Sequence, residues 1–272
     1  MNMYIGIDIG GTHTRVAIGE NGFYKDKKDF PTRDLTETLG DIKDAVSDFD
    51  TNTAAAGVSV AGPYNFKVGV LSQPPNLQKS WDKQDLPSLF TKELGIPTFV
   101  AHDASVAALG EAKYGAGKGR NPVLYYTVST GIGSGLIVDG KIYHGIFNPE
   151  AGHQMLSYEG KSLESLASGT ALKQKTGKEP REVEGTLLWD EAMDWIGLGI
   201  ANSILHFSPE IVVIGGGMTK HRDIFFEPVR KALSKYLKLV TQVEVVPAGL
   251  GQDSGLIGAL ELATQSYNGS GI

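Results

Sequence analysis

Three short apolar segments of this chain run straight into clusters of glycine. Residues 4–9 lead into Gly10-Gly11, residues 123–128 into the turn 129–135, and residues 211–214 into Gly215-Gly216-Gly217. A short apolar run bounded by turn residues reads as a buried strand. Glycine at its end lets backbone N–H groups close around an anion, because no Cβ blocks the approach. A chain that repeats this device has to place strand ends beside one another, and that constrains it to α/β architecture.

The segments between agree. Residues 36–49 carry Leu39, Ile42, Val46 and Phe49 at helical spacing, residues 54–60 read as a buried strand, and residues 63–81 are loop-like. Residues 86–94 predict a helix stopped by Gly95 with Pro97 beyond it, and residues 98–101 a strand that delivers Asp103 to its end. A helix of small residues, 104–114, closes at Gly115. The second half repeats the order: strand 123–128, glycine turn, strand 136–138, and a tight turn at Asp139-Gly140. Residues 148–185 mix loop and short helices; helix 187–207, strand 211–214, helix 224–239, strand 243–247 and helix 254–265 follow, with a polar tail at 268–272. Two α/β domains with a cleft between them are expected: residues 1–112 and 113–253, with the helix at 254–266 packing back on the first.

Several function classes fall away. A net charge of −6 disfavours general nucleic-acid or membrane-surface binding. The chain has no cysteine, so disulfides, thiolate metal sites and a cysteine nucleophile are excluded. The start MNMYIGIDIGGT is not a signal peptide, and no apolar run reaches the roughly 18 residues of a membrane span; the cytoplasm is the expected location. No G-x-x-x-x-G-K-[ST] and no G-x-G-x-x-G with a following acidic residue occurs. The histidines lack zinc-site spacing, and His13, His144, His206 and His221 have no evident partner.

Within the turns, Asp8, Gly10, Gly11 and Thr12 form a first candidate phosphate loop, with Asp8 able to hold Mg²⁺ through water. A plain hairpin explains the same residues. Thr130, Gly131 and Gly133 belong to the second turn, where a phosphate cradle accounts for three glycines together with three hydroxyls and a hairpin does not. Gly216 and Gly217 mark the third, with a strained strand-to-helix turn as the alternative. Asp103 stands at a strand's carboxyl end, where it could take a proton from an attacking hydroxyl; an ordinary helix cap is the competing reading. Glu150 and His153 share one turn and suit vicinal hydroxyls, whereas Glu164 is equally explained as a solvated helix position, and Asn65 and Asn76 as turn formers.

Taken in order, IGIDIGGTHTRVAI, GVSVAGPYN, PPNLQKSW, HDASVAALGEAKYGAGKG, TVSTGIGSGLIVDGKIYHG, PEAGH, LESLASGTAL and PEIVVIGGGM resemble the ROK family of sugar kinases and related repressors. The resemblance implies an actin-like (ribonuclease H-like) two-domain ATPase fold with an interdomain cleft. It implies ATP and Mg²⁺ as cofactors, Asp103 as base, and Asn76, His102, Glu150, His153 and Glu164 toward the sugar. It also implies a hexose phosphorylated at the 6-hydroxyl, glucose first, with N-acetylmannosamine or N-acetylglucosamine next, and a homodimer is compatible with it. A catalytically silent sugar sensor is the alternative class. Two departures stand out. The Cys-rich zinc motif that many members carry after PEAGH is replaced by QMLSYEGKSLES, so no zinc is expected. The residue before the base is His102 where Asn is common. The chain starts at its first strand, so no DNA-binding helix-turn-helix is expected ahead of it.

Overall fold

The computed structural model describes residues 2–145, 147–238 and 243–269. The chain begins with β1 (Met3–Ile9), β2 (His13–Glu20), β3 (Phe23–Pro31), α1 (Leu35–Asp48) and β4 (Thr53–Val60). The small ribbon β5 (Tyr64–Asn65) and β6 (Val70–Leu71) precedes α2 (Leu86–Leu94), β7 (Thr98–His102) and α3 (Asp103–Tyr114). The second half holds β8 (Val123–Val128), β9 (Ile132–Val138), β10 (Lys141–Ile142), α4 (Leu163–Ala167), α5 (Gly169–Thr176) and α6 (Leu187–Phe207). It ends with β11 (Ile211–Gly215), α7 (Arg222–Tyr236), β12 (Glu244–Pro247) and α8 (Ser254–Tyr267). The expected helix end at residue 239 and the tail at 270–272 lie outside the described residues.

Two five-stranded sheets result, ordered β3-β2-β1-β4-β7 and β10-β9-β8-β11-β12. In each, an antiparallel hairpin joins a parallel set: β1 pairs β2 antiparallel and β4 parallel, and β8 pairs β9 antiparallel and β11 parallel. The parallel strands align their carboxyl ends, so the glycine turns emerge on one edge.

The sheets are the bread of a layered stack. The outer face of the first is covered by α1 and α2, through Leu35, Leu39, Ile42, Leu86 and Phe90 against Ile5, Ile7 and Ile9. The outer face of the second packs α6 and α7, with Trp189, Ile196, Ile200 and Phe225 against Leu124, Tyr126 and Val212. Between the sheets lie α3 and α8, packed on each other; α8 contacts β1 and β4, and α3 contacts β8 and β9. Helix boundaries follow local chemistry. Asp34 caps α1 by accepting from Glu37 N–H, Asp85 caps α2, and Gly95 ends α2 in the left-handed conformation.

β3 carries no apolar alternation. Its sequence FYKDKKDFP leaves most side chains exposed, as a charged strand does when it closes a sheet edge against further pairing. Among the described residues, no helix is long and apolar enough to cross a membrane.

Candidate active site

The hairpin register sets Asp8 directly opposite Arg15. The Arg15 guanidinium donates to Asp8 Oδ2 at 2.5 Å, and Ser59 Oγ, on the neighbouring strand β4, donates to Asp8 Oδ1 at 2.8 Å. Burial nevertheless pushes the Asp8 carboxyl above its usual range, and the nearby Asp103 charge adds to that; Arg15 and Ser59 pull the other way without overcoming it. Asp8 is therefore not a bare carboxylate: both oxygens already have donors. Gly10 N–H donates to His13 O to form the turn, and Thr32 braces it by donating its hydroxyl to Gly10 O and its N–H to Thr12 O. Thr12 is exposed at the tip. Gly11 lies against Asn76; a Cβ on it would stand 2.7 Å from Asn76 O. The loop 63–81 thus reaches the first turn, with Asn76 exposed beside it.

Asp103 is the first residue of α3, and the cap position belongs to His102, whose side chain makes no capping bond. The helix-cap reading of Asp103 is accordingly corrected. Its carboxylate is two-fifths exposed, accepts from Ala104 N–H at 2.7 Å and lies 3.1 Å from His102 Nε2. His102 is buried, and its Nδ1 has no partner.

Glu150 precedes a single 3₁₀ turn, Ala151–His153. Burial raises its carboxyl above the ordinary carboxylate range; His102 and His153 oppose the shift, while Asp103 and Glu164 reinforce it. Five side chains from β7, α3, this turn and α4 therefore share one electrostatic neighbourhood. The folded protein holds the Glu150 proton to higher pH than the unfolded chain does. Stability from this group is present below the unfolded value and lost as pH rises through the raised one. Glu150→Gln should remove that loss, so its melting temperature should fall less than the wild type's as pH rises above the ordinary carboxylate range of about 4. Asp8, shifted the same way, remains in both proteins. Parallel melting curves across the pH series would refute the assignment.

Glu164 is half-buried rather than a solvated helix position. Its Oε2 accepts from Ile132 N–H at 2.7 Å, which ties α4 to the second glycine turn. The other side of the turn is held by α5, whose Gly169 and Thr170 N–H groups donate to Ser129 O and Thr130 O. The three glycines have separate neighbours. A Cβ on Gly131 would meet Glu164 Oε2 at 2.5 Å, one on Gly133 would meet Ala104 Cβ at 3.2 Å, and one on Gly135 would meet Ala104 O at 2.6 Å. Gly133 and Gly135 also let α3 lie close on β9, a packing role beside the expected phosphate cradle, and Gly131 sits in the turn itself.

The third turn closes on the second. Gly216 adopts φ 102°, and a Cβ there would strike Val128 O; Gly217 stands over Ser129 Oγ. Sequence reasoning passed over Arg15, Ser59, Thr32 and the amino end of α5. It also left His13 and His221 without partners, whereas His13 meets Asp29 at 2.9 Å and His221 meets Glu184 at 2.5 Å. A cavity of about 830 Å³ between α6 and α7, lined by Trp189, Asp194, Glu227 and Lys231 among others, includes none of the turn residues.

Comparison with known proteins follows the same outline. The ROK family model matches residues 4–266. A fructokinase from Pediococcus pentosaceus is 30% identical, over 94% of this chain and 96% of that protein. A ROK hexokinase structure from Thermus thermophilus superimposes with a TM-score of 0.90 at 27% identity, covering 98% of this chain and 99% of its own. A ROK family glucokinase from Streptomyces griseus, solved in complex with glucose and AMPPNP, gives 0.83 at 27% identity, covering 97% and 100%.

Proposed function

The chain belongs to the ROK family and has its actin-like α/β fold, and on that premise we propose that it transfers the γ-phosphate of ATP to the 6-hydroxyl of a hexose, glucose first. The observation that carries this reading is the meeting of Asp103, His102, Glu150, His153 and Glu164 beside two glycine turns. The glucose and AMPPNP complex of the Streptomyces griseus glucokinase supports the pairing of sugar and nucleotide.

In the proposed step the sugar hydroxyl attacks the γ-phosphorus. Its proton passes to the Asp103 carboxylate, the new O–P bond forms, and the bond to the β-phosphate oxygen breaks to release ADP. Phosphoryl transfer asks little covalent chemistry of a protein, so positioning and charge neutralisation dominate. Glu150 and His153, with Asn76 from the facing loop, would orient the sugar. The turn at Thr130 and Gly131 and the turn at Asp8, Gly10, Gly11 and Thr12 would hold phosphates, and Gly216 and Gly217 would flank the adenosine.

Mg²⁺ usually arrives with substrate phosphates and needs only one or two protein carboxylates. Asp8, whose oxygens accept from Arg15 and Ser59 and keep further lone pairs, fits that requirement through water. Bound there, the ion would neutralise charge on the phosphates. The donor set offers no thiolate, and among the described residues no group of three His, Asp or Glu side chains is arranged to hold a metal.

His102 distinguishes this site from the family pattern. Its buried Nδ1 has no hydrogen-bond partner among the described residues and its Nε2 lies 3.1 Å from the Asp103 carboxylate, which puts the ring between the base and the sugar side. His102→Asn should change the sugar's KM, because the smaller amide places its donor and acceptor differently from the imidazole ring. An unchanged KM in a variant that folds would remove His102 from the sugar site.

ADP release measured across glucose, fructose, mannose, N-acetylmannosamine and N-acetylglucosamine tests the whole reading. Turnover of one hexose well above the others supports it. Calorimetric sugar binding without ADP release from any of them would make the protein a sugar sensor instead.

A further inference from the structure

Glu111 is fully buried in α3 and, among the described residues, has no cationic partner. Its carboxylate accepts four hydrogen bonds. Oε2 takes Ala116 N–H and Gly249 N–H, each at 2.9 Å; Oε1 takes Leu250 N–H at 2.9 Å and Ser254 Oγ–H at 2.7 Å. These donors belong to two stretches far apart in sequence. Residues 115–122 carry the chain from α3 into the second sheet, and residues 248–253 carry it from β12 back to α8 and the first. They are the two main-chain connections between the sheets, and one side chain binds both. Both are glycine-rich: Gly115, Gly117 and Gly119 in one, Gly249 and Gly251 in the other. Gly119 and Gly251 adopt positive φ. Such segments are where a rigid-body rotation of two lobes would absorb its change in φ and ψ.

We infer that Glu111 is the hinge pin of the molecule, a positioning residue that fixes the pivot about which the two sheets close on bound substrates. The inference rests on the kinase reading for the identity of the substrates, but the pivot itself belongs to the unliganded protein. The second connection also touches the site directly: Arg15, paired with Asp8, donates to Gln252 O and reaches Asp253. Displacement of this segment would therefore be felt at the first glycine turn. A carboxylate suits the site because three of its partners are N–H groups, which only donate. An amide would turn its NH₂ toward at least one of them, Leu250 N–H, and lose that acceptance, while Ser254 Oγ can accept instead and donate to Gly251 O.

The chain has no cysteine, so Asp44→Cys on α1 and Lys231→Cys on α7 supply the only thiols for a pair of spin labels, one on each half. Pulsed electron spin resonance then reads the separation of the halves with and without glucose. With Glu111 intact, a narrow distribution is expected, shifted as a whole by sugar. Glu111→Gln should broaden the distribution even without sugar, and should move kcat and KM together, lowering kcat/KM by roughly 3- to 30-fold. If Glu111→Gln fails to fold, Ser254→Ala, which removes one donor of four, is read in the same way and should broaden it less. Distributions identical to the wild type's in the variant that folds would overturn the inference, whatever its melting temperature. Failure of the kinase reading would show separately, as absence of ADP release from the wild type, and would leave the sugar-free distributions interpretable.

Discussion

Asp103→Asn should lower turnover by about 10²–10⁴-fold, the usual range for loss of a general base, while sugar binding persists. The substitution is nearly isosteric. Asn Oδ1 can still accept from Ala104 N–H, the hydrogen bond that holds the Asp103 carboxylate at the start of α3, and still lies beside His102 Nε2. The amide cannot accept the hydroxyl proton at neutral pH, so the loss should fall on kcat with little change in sugar affinity. It also deletes one of two negative charges that raise the Glu150 carboxyl, so any acid limb set by Glu150 should move to lower pH. Steady-state kinetics against pH, with sugar affinity measured separately by calorimetry, reads both effects. Near wild-type turnover in the Asn variant would show that another group takes the proton.

The position of Asp103 was legible because a strand reading at residues 98–101 put it at the strand's end, where ligands of α/β proteins bind. The structure adds His102 as its partner, which required knowing that the ring turns inward. The first turn was half legible. A hairpin centred between Gly11 and Thr12 places Asp8 opposite Arg15 by counting alone, yet the sequence reading assigns Asp8 to the phosphate loop and to Mg²⁺ without this partner. The cation that meets it lies on the returning strand, so its role follows from register and not from any local motif. Glu164 was harder. On α4 it looks like any acidic residue of a first helical turn, and only the fold brings it to Ile132 N–H.

β3 and Glu111 mark the limits of periodicity. A charged edge strand has no apolar alternation to find, because only pairing with β2 defines it. Glu111 sits in a helix of small residues, where an acidic side chain suggests a solvated face. Its burial is dictated by two connections separated by more than a hundred residues, and no window of sequence contains both. The glycines of the second turn give the converse case. Their spacing was visible, but the division between turn and packing roles depends on α3 lying across β9.

That division sets the second large effect. Gly131→Val should weaken the nucleotide by roughly 10- to 100-fold and the sugar by less, because the Glu164 carboxylate it displaces is also expected to face the sugar. A Cβ at this position would stand 2.5 Å from Glu164 Oε2, and the same oxygen holds Ile132 N–H at 2.7 Å. The valine must displace the carboxylate, and a hydrogen bond to a charged group contributes about 1.5–3 kcal/mol, which converts to the stated range at 1.4 kcal/mol per tenfold. The turn would lose its anchor to α4 while keeping the one to α5 through Ser129 O and Thr130 O. Gly133→Val should do less: its nearest neighbours are the side-chain methyls of Thr127 and Ala104 at 3.1 and 3.2 Å, which can yield by a few tenths of an ångström. Glu164→Gln provides the control. It keeps an acceptor for Ile132 N–H without the charge, so its nucleotide affinity should fall between wild type and Gly131→Val. Calorimetry with AMPPNP and with glucose, each alone, separates the cases. Equal losses for both ligands, together with a lowered melting temperature, would mean that Gly131 supports the fold and not the phosphate turn. Unchanged nucleotide affinity in a Gly131→Val protein that folds would place the phosphates elsewhere.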